Sequence, residues 1–461
     1  MVPSLPLAPD EVTALLAPLA LGPARTLALA VSGGPDSSAL AWSLAQHVGP
    51  ERADLLALIV DHGLRPESAA EADVTLQRLH ALGLQGVVLR WTPPPPPRQR
   101  LHERARAARY ALLLEACRAN GRTSLLLAHH RDDQAETVLL RLAKGSGLHG
   151  LGGMAPVSTR AGVRLLRPFL SVPKSRLIAT CRAAGLPFAE DPSNLSESYA
   201  RGRLRRVMPL LEVEGLSPER LTDLAERARE DSEALDALML TFLRANTTFD
   251  RTSGTLRLDA LAWESCPRAL RLRALAACLR AIHPAPFAPR RAGLCALEVA
   301  LCCATAPDDP WRGARALSSS RRKPGSLFVA TRTLGGCLVR RLGETIRFLR
   351  EPAAAFKARC AFPPSPAQEP CVWDDRWILL PGPESPALSP NDPATVLEVR
   401  ALGFQGHTTL DTLAPDLRRR VPEGHARATL PALWSGQDLL GLAPCVPVLP
   451  VWEEFAPHPL C

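Results

Sequence analysis

The sequence predicts an α/β protein: a doubly wound, mostly parallel sheet at the N-terminal end, then a helical domain, then a small C-terminal α+β domain. Three observations carry this. Between residues 25 and 145 short apolar runs alternate with helix-length amphipathic stretches, the pattern of strands joined by crossover helices. The first run breaks into SGGPDS (32–37), where a first strand would hand over to a first helix. From about 217 to 305 the apolar positions keep a helical period instead.

The elements follow in order. TLALAVS (26–32), DLLALIVD (54–61), GVVLRW (86–91) and SLLLAH (124–129) have strand length, while LHERARAARYALLLEACRAN (101–120) and DDQAETVLLRLAK (132–144) have helical spacing. Five prolines at 93–97 predict a stiff connector between the third strand and its helix. Ser217 as a cap and Pro218 at the first helical position open a long helix over 217–245. Beyond it, 308–326 and 362–370 are rich in turn formers, and GSLFVATRTLGGCLVRRL (325–342) and TIRFLRE (345–351) read as strands. The expected domains are 1–215, 216–325 and 326–461, with no internal repeat.

Composition narrows the function. With 46% hydrophobic and 22% charged residues and no apolar run near the roughly eighteen residues of a membrane helix, a soluble globular protein is expected. The start, MVPSLPLAPDEVTALL, has acids and prolines where a secretory signal needs basic residues and an unbroken apolar stretch, so a cytoplasmic protein is expected. The net charge is +9, almost all of it from arginine, with lysine only at 144, 174, 323 and 357. That balance favours a polyanionic partner, although genome composition accounts equally well for heavy arginine, alanine and proline usage. The twelve cysteines include no CxxC pair, which predicts reduced, mostly buried thiols and no zinc or iron–sulfur site.

The glycine turn predicts an anion site. Gly33 and Gly34 let the backbone turn sharply and bring its N–H groups close to a ligand, Ser32, Ser37 and Ser38 add hydroxyls, and the following helix directs its positive end there. The lysine of the GxxxxGK[ST] loop and the three-glycine spacing of dinucleotide folds are both missing. Asp36 beside phosphates calls for a divalent cation between them. The competing explanation is a plain Gly-Gly turn with Asp36 or Ser37 capping a helix.

SGGPDS in this position resembles the loop of the N-type ATP pyrophosphatases, the PP-loop family with a Rossmann-like sheet, shared by GMP, NAD and asparagine synthetases, tRNA thiolation enzymes and tRNA lysidine synthetases. Later segments choose among them. DHGLRPES (61–68), ARAARY (105–110), AHHRDDQAETVLLRLAKGSGLHGLGGMAP (128–156), LLRPFL (165–170), DPSN (191–194) and RGRLR (201–205) stand in the order and rough spacing of the tRNA(Ile)-lysidine synthetases. One departure is Arg201-Gly202, where that family usually has Arg-Asn.

The resemblance implies a ligase that uses ATP and Mg2+ to join free L-lysine to C2 of the first anticodon cytidine of a CAU-bearing tRNA(Ile). Cytidine O2 would attack the α phosphate, pyrophosphate would leave, and lysine's amine would then expel AMP. Ser32, Gly33, Gly34, Pro35, Asp36 and Ser37 would cradle the nucleotide, with Asp36 also a magnesium contact. Asp133 and Glu136, three apart on one helical face, would hold the lysine ammonium; the spacing alone is explained as well by a helix cap. His129, at a strand's carboxyl end, would donate to a phosphate or the base, and Arg109 would contact phosphate or adenylate. Arg201 would reach the ATP site, and Lys174, Arg203, Arg205 and Arg206 would meet tRNA phosphates; for these arginines and Arg109 a solvated helix face is the alternative. His130 reads as structural, and Asp61 and His62 as either adenosine contacts or strand-end residues. No membrane partner is expected, and a second copy of the chain is an open alternative. Other readings are a tRNA thiolation enzyme, disfavoured by dispersed cysteines, and a non-catalytic RNA-binding relative, disfavoured by intact SGGPDS and DDQAET.

Overall fold

The computed structural model describes residues 4–63, 67–92, 101–189, 200–283, 289–302, 329–361, 371–374, 376–379, 397–403, 425–435, 438–443 and 445–447. The proline run at 93–97, DPSN, Tyr199 and most of 417–430 lie outside these. The chain forms two compact units, Met1–Glu233 and Ala234–Cys461.

The first unit runs α1 (Pro9–Leu16), β1 (Leu27–Val31), α2 (Pro35–Val48), β2 (Leu56–Asp61), α3 (Ser68–Ala81), β3 (Gln85–Arg90), α4 (Leu101–Ala119), β4 (Ser124–Leu126), α5 (Arg131–Ala143), α6 (Leu148–Leu151), β5 (Val157–Arg160), β6 (Val163–Leu166), α7 (Lys174–Ala183) and α8 (Ala200–Val213), and ends within α9 (Pro218–Asn246). Its six strands lie in the order β3-β2-β1-β4-β6-β5, parallel except for β5 on the edge. The predicted doubly wound sheet is therefore present. The β5–β6 hairpin joins it although no strand is predicted from the sequence there, because four-residue strands interrupted by Ala161-Gly162 show no usable alternation.

Leu29 pairs with Ala57 on one side and Leu126 on the other, and all five β1 residues are buried. A central parallel strand is covered on both faces, so it reads as a continuous apolar run. Leu27, Leu29 and Val31 pack with Leu40 and Leu44 of α2, Leu177 of α7 and Phe169. Ala28 and Ala30 face Leu113, Leu114 and Cys117 of α4. The chain order reverses between β1 and β4, and a crevice opens beyond the carboxyl ends of strands at such a reversal. SGGPDS follows one of these strands and HHRDD the other.

In the second unit β7 (Thr247–Asp250), β8 (Thr255–Asp259), β9 (Val329–Leu334), β10 (Cys337–Leu342) and β11 (Thr345–Arg350) form an antiparallel sheet in the order β7-β8-β11-β10-β9. The strands expected within 325–351 are thus present, and two from the stretch read as helical pair with them, so one sheet draws on residues from both sides of position 325. Helices α10 (Ala260–Ser265), α11 (Arg268–Ile282) and α12 (Arg291–Leu301) lie between β8 and β9 in the chain, and Trp263, Leu275, Leu279 and Leu297 share a core with Val339 and Phe348. A four-stranded and a three-stranded sheet follow. The predicted cap of α9 is formed, with Ser217 Oγ accepting from the Arg220 N–H at 3.3 Å.

Helix α1 is tied to α7 by a two-pronged ion pair in which Arg176 donates to both Glu11 oxygens, at 2.8 and 2.7 Å. Those hydrogen bonds and one from the Ala8 N–H hold the Glu11 pKa at about 2, below the ordinary 4.5. A depressed carboxylate pKa favours the folded state above pH 4.5, and the benefit fades as pH falls through 2. In urea titrations across pH, Glu11→Gln is expected to be less stable than the parent above about pH 5, the gap closing below 4.5. Phe169 is fully buried in the principal core of the unit. Phe169→Ala should cost about 3–5 kcal/mol in urea denaturation.

Candidate active site

The SGGPDS loop is held by its own hydroxyls. Ser37 Oγ accepts from the Ser32 N–H at 3.1 Å, donates to the Gly34 carbonyl at 3.1 Å and lies 3.3 Å from Ser32 Oγ. Pro35 starts α2 with Gly34 as its N-cap residue, and no side chain caps the helix. Gly33 has φ +80°, and a Cβ there would stand 2.4 Å from Thr75 Oγ1. Its carbonyl accepts from the Ala189 N–H at 2.9 Å, which braces the turn from behind. Thr75 and Ala189 were not singled out in the sequence, since neither is close to the loop along the chain.

Asp36 is the second residue of α2. Its Oδ2 lies 3.6 Å from His130 Nε2 and 3.7 Å from Lys174 Nζ, while its Oδ1 is buried with no hydrogen-bond partner. Lys174 opens α7, and its N–H donates to Asp132 Oδ2 at 2.9 Å. Lys174, expected at tRNA phosphates, thus stands at the loop.

His130 joins the two halves of the site. It is the N-cap residue of α5, and its backbone N–H donates to Asp133 Oδ2 at 3.3 Å. Its ring faces Asp132 at 3.3 Å, Asp133 at 3.5 Å and Asp36 at 3.6 Å. Burial alone would lower its pKa, but hydrogen bonds to Asp132 and Asp36 and the charges of Asp133 and Asp36 outweigh that and push it up to about 10. With both nitrogens protonated, Nδ1 donates to Asp132 instead of accepting from the Asp133 N–H 3.4 Å away. Burial pulls the Asp132 pKa upward, yet His130 and the Lys174 N–H hold it at about 2. The structural role read for His130 is thus present, together with a direct contact to Asp36.

Asp133 and Glu136 do lie close together, and Glu136 is buried. They are already engaged. Arg205 of α8 donates through Nε to Glu136 Oε1 and through Nη2 to Oε2 at 3.5 Å, with Asp133 Oδ1 3.9 Å away. Arg201 Nε lies 4.0 Å from Glu136 Oε2, and its Nη2 donates to Thr137 Oγ1 at 3.4 Å. Burial raises the Glu136 pKa, opposed by Arg205 and reinforced by Asp133. Arg205, expected on tRNA, therefore points inward, while Arg203 and Arg206 are exposed and Gly202 is buried.

His129 Nδ1 is buried without a partner. Desolvation, opposed by Asp133 and reinforced by Arg167, Arg106 and Arg109, lowers its pKa to about 4, so the ring is neutral. Arg109 is exposed at its surface, yet surrounding protein disfavours its charged form, against Tyr110 and with Arg106. Its charge bears on His129. Asp61 is committed to its turn: Oδ1 accepts from Ser68 Oγ at 2.6 Å and from the Gly63 N–H at 3.0 Å. Gln134 ties α5 to the glycine-rich stretch after it, donating to the Met154 carbonyl at 2.9 Å and accepting from the Met154 N–H at 2.7 Å.

Buried Cys117 and Cys181 have thiol pKa values raised to about 11, which opposes thiolate chemistry. No helix among the described residues is long and apolar enough to cross a membrane.

The PP-loop domain family matches residues 8–211. A tRNA(Ile)-lysidine synthase from Methylobacterium nodulans is 48% identical over 270 residues, 59% of this chain and 79% of that protein. Another, from Ruegeria pomeroyi, is 34% identical over 433 residues, 94% of this chain and 92% of that one. Among solved structures, the U34-tRNA thiolase NcsA from Methanococcus maripaludis with its [4Fe-4S] cluster aligns at a TM-score of 0.42 and 17% identity, over 48% of this chain and 78% of that one.

Gly33→Ala is expected to destabilise the chain by more than about 1 kcal/mol in urea titration, through strain at a positive φ and the close approach of Thr75. Gly34→Ala, whose methyl would meet nothing nearer than 3.8 Å, should cost less than Gly33→Ala, its loss being that of alanine at a helix N-cap.

Proposed function

The chain belongs to the tRNA(Ile)-lysidine synthases, which are PP-loop ATP pyrophosphatases, and we propose that the SGGPDS loop, Asp36 and the Asp133–Glu136 pair carry its chemistry. The protein makes lysidine on tRNA(Ile) as an ATP-dependent ligase. Cytidine at the first position of a CAU anticodon attacks the α phosphate through O2 and pyrophosphate leaves. Lysine's amine then attacks C2 and releases AMP.

The observation that carries this is the meeting of two motifs ninety residues apart in the chain: His130 stands 3.6 Å from Asp36 and 3.5 Å from Asp133. That proximity supports a phosphate site and an amine site side by side, as a reaction between an adenylate and an amine requires. Backbone N–H groups at the start of α2 face the phosphates, with the helix dipole behind them. Lys174, beside Asp36, serves the triphosphate in this reading, and Arg109 adds positive charge where pyrophosphate departs. Neutral His129, with one buried nitrogen unpartnered, offers a hydrogen bond to the pyrimidine without adding charge.

The unpartnered Asp36 Oδ1 fits a magnesium ion, an oxygen-seeking cation commonly held by one carboxylate together with phosphates. When bound, it would neutralise charge on the triphosphate and on the departing pyrophosphate. Asp133 and Glu136 orient the lysine ammonium. Glu136, with its pKa raised by burial, is suited to accept the proton the amine must lose before it attacks. Exposed Arg203 and Arg206, with 216–325 and 326–461, are the surfaces for the body of the tRNA.

Purified protein with ATP, magnesium, labelled lysine and CAU-bearing tRNA(Ile) tests the division of labour. Asp36→Ala should lose both AMP formation and lysine incorporation by about a hundredfold or more, the scale of a lost transition-state electrostatic contact. Glu136→Gln should keep tRNA-dependent adenylation and lose lysine transfer. Equal loss of both steps in Glu136→Gln would refute the assignment of the acidic pair, and methionine tRNA with the same anticodon is the specificity control.

A further inference from the structure

Resting on the reading that Asp133 and Glu136 bind lysine, we infer that Arg205 is a place-holder for the lysine ammonium, drawn off Glu136 when a triphosphate binds at the loop, so that nucleotide opens the lysine notch.

Three observations lead there. The Glu136 side chain is only 3% exposed, and while ionised a carboxylate that deep needs a cation beside it, because an uncompensated buried charge is strongly destabilising. The notch therefore exchanges one cation for another. Arg205 already takes both Glu136 oxygens and approaches Asp133, the same pair the ammonium would use. Lysine joining them with Arg205 and Arg201 both in place would bring a third cation onto one buried carboxylate.

The third observation says what moves Arg205. Its guanidinium lies 3.9 Å from Asp133, and Asp133 is 3.5 Å from His130, whose ring stands 3.6 Å from Asp36 of the loop, so the guanidinium is within two side chains of the phosphate loop. A polyanion arriving at that loop offers it a partner that planar guanidinium groups bind well. Arg201, one helical turn earlier on α8, lies 4.0 Å from Glu136 and is bonded to Thr137, so it keeps part of the positive field at the notch during the exchange. The coupling is reciprocal: nucleotide raises lysine affinity, and lysine raises nucleotide affinity by the same factor.

The test is lysine binding to the full chain by calorimetry, with and without α,β-methylene ATP and magnesium, an analogue that cannot release pyrophosphate. The parent protein should bind L-lysine at least tenfold more tightly with the analogue. Arg205→Ala should bind lysine without nucleotide about as tightly as the parent does with it, and the analogue should then change affinity less than twofold. Arg205→Lys, which tethers a competing ammonium, should restore the nucleotide dependence, an outcome that a purely structural role for Arg205 does not produce. Should Arg205→Ala fail to fold, Arg205→Gln takes its place.

A parent protein indifferent to the analogue, or an Arg205→Ala variant that keeps the full coupling, overturns the inference. Glu136→Gln in the Arg205→Ala background separates the two readings. Lysine affinity that survives this change means the acidic pair is not the lysine site; affinity that vanishes while Arg205→Ala retains coupling means only the place-holder role is wrong.

Discussion

A single imidazolium holds the catalytic end of this protein together. His130 is enclosed by Asp36, Asp132 and Asp133 at 3.3–3.6 Å, and each carboxylate belongs to a different neighbourhood: the SGGPDS loop, the start of α7, the Asp133–Glu136 pair. Charges in a poorly hydrated interior interact far more strongly than at the surface, so the ring ties these pieces together only while protonated, and the acids around it keep it so. The arrangement is possible because β1 and β4 are neighbours in the sheet, which lets α2 and α5 start side by side.

Around that centre the charges nearly balance. Asp36, Asp132, Asp133 and Glu136 are met by His130, Lys174, Arg201 and Arg205. A balanced site is one in which cations and anions can exchange partners without stranding a charge in the interior. His129 is different in character: burial, reinforced by Arg167, Arg106 and Arg109 against Asp133, lowers its pKa and keeps that ring neutral.

The +9 charge overstates what faces nucleic acid. Arg167, Arg341, Arg350, Arg376 and Arg427 are buried. Arg341 is paired with Glu264, and Arg350 and Arg376 share Asp374. Arginine suits such positions because its planar group satisfies several acceptors at once and is less strongly hydrated than an ammonium. Part of the arginine excess is therefore internal bracing, and composition cannot separate it from the part that meets RNA.

Read along the chain, the apolar periods were sufficient for the parallel sheet, the glycines for a sharp turn between the first strand and its helix, and the Asp133–Glu136 spacing for two acids on one helical face, since each rests on residues within one or two helical turns. Arginines 201, 203, 205 and 206 were legible as a cationic cluster, but not as two pointing inward and two outward, because the start of α8 and the neighbour it packs against set the rotation of the helix. Lys174 changed its meaning, and His130 gained a contact to Asp36 beyond its structural role, for the same reason: a side chain's charge is local, while the carboxylate it neutralises comes from a distant segment. Which cation faces which acid arose from the order of strands in the sheet, and strand order is a matter of packing between segments that no local pattern encodes.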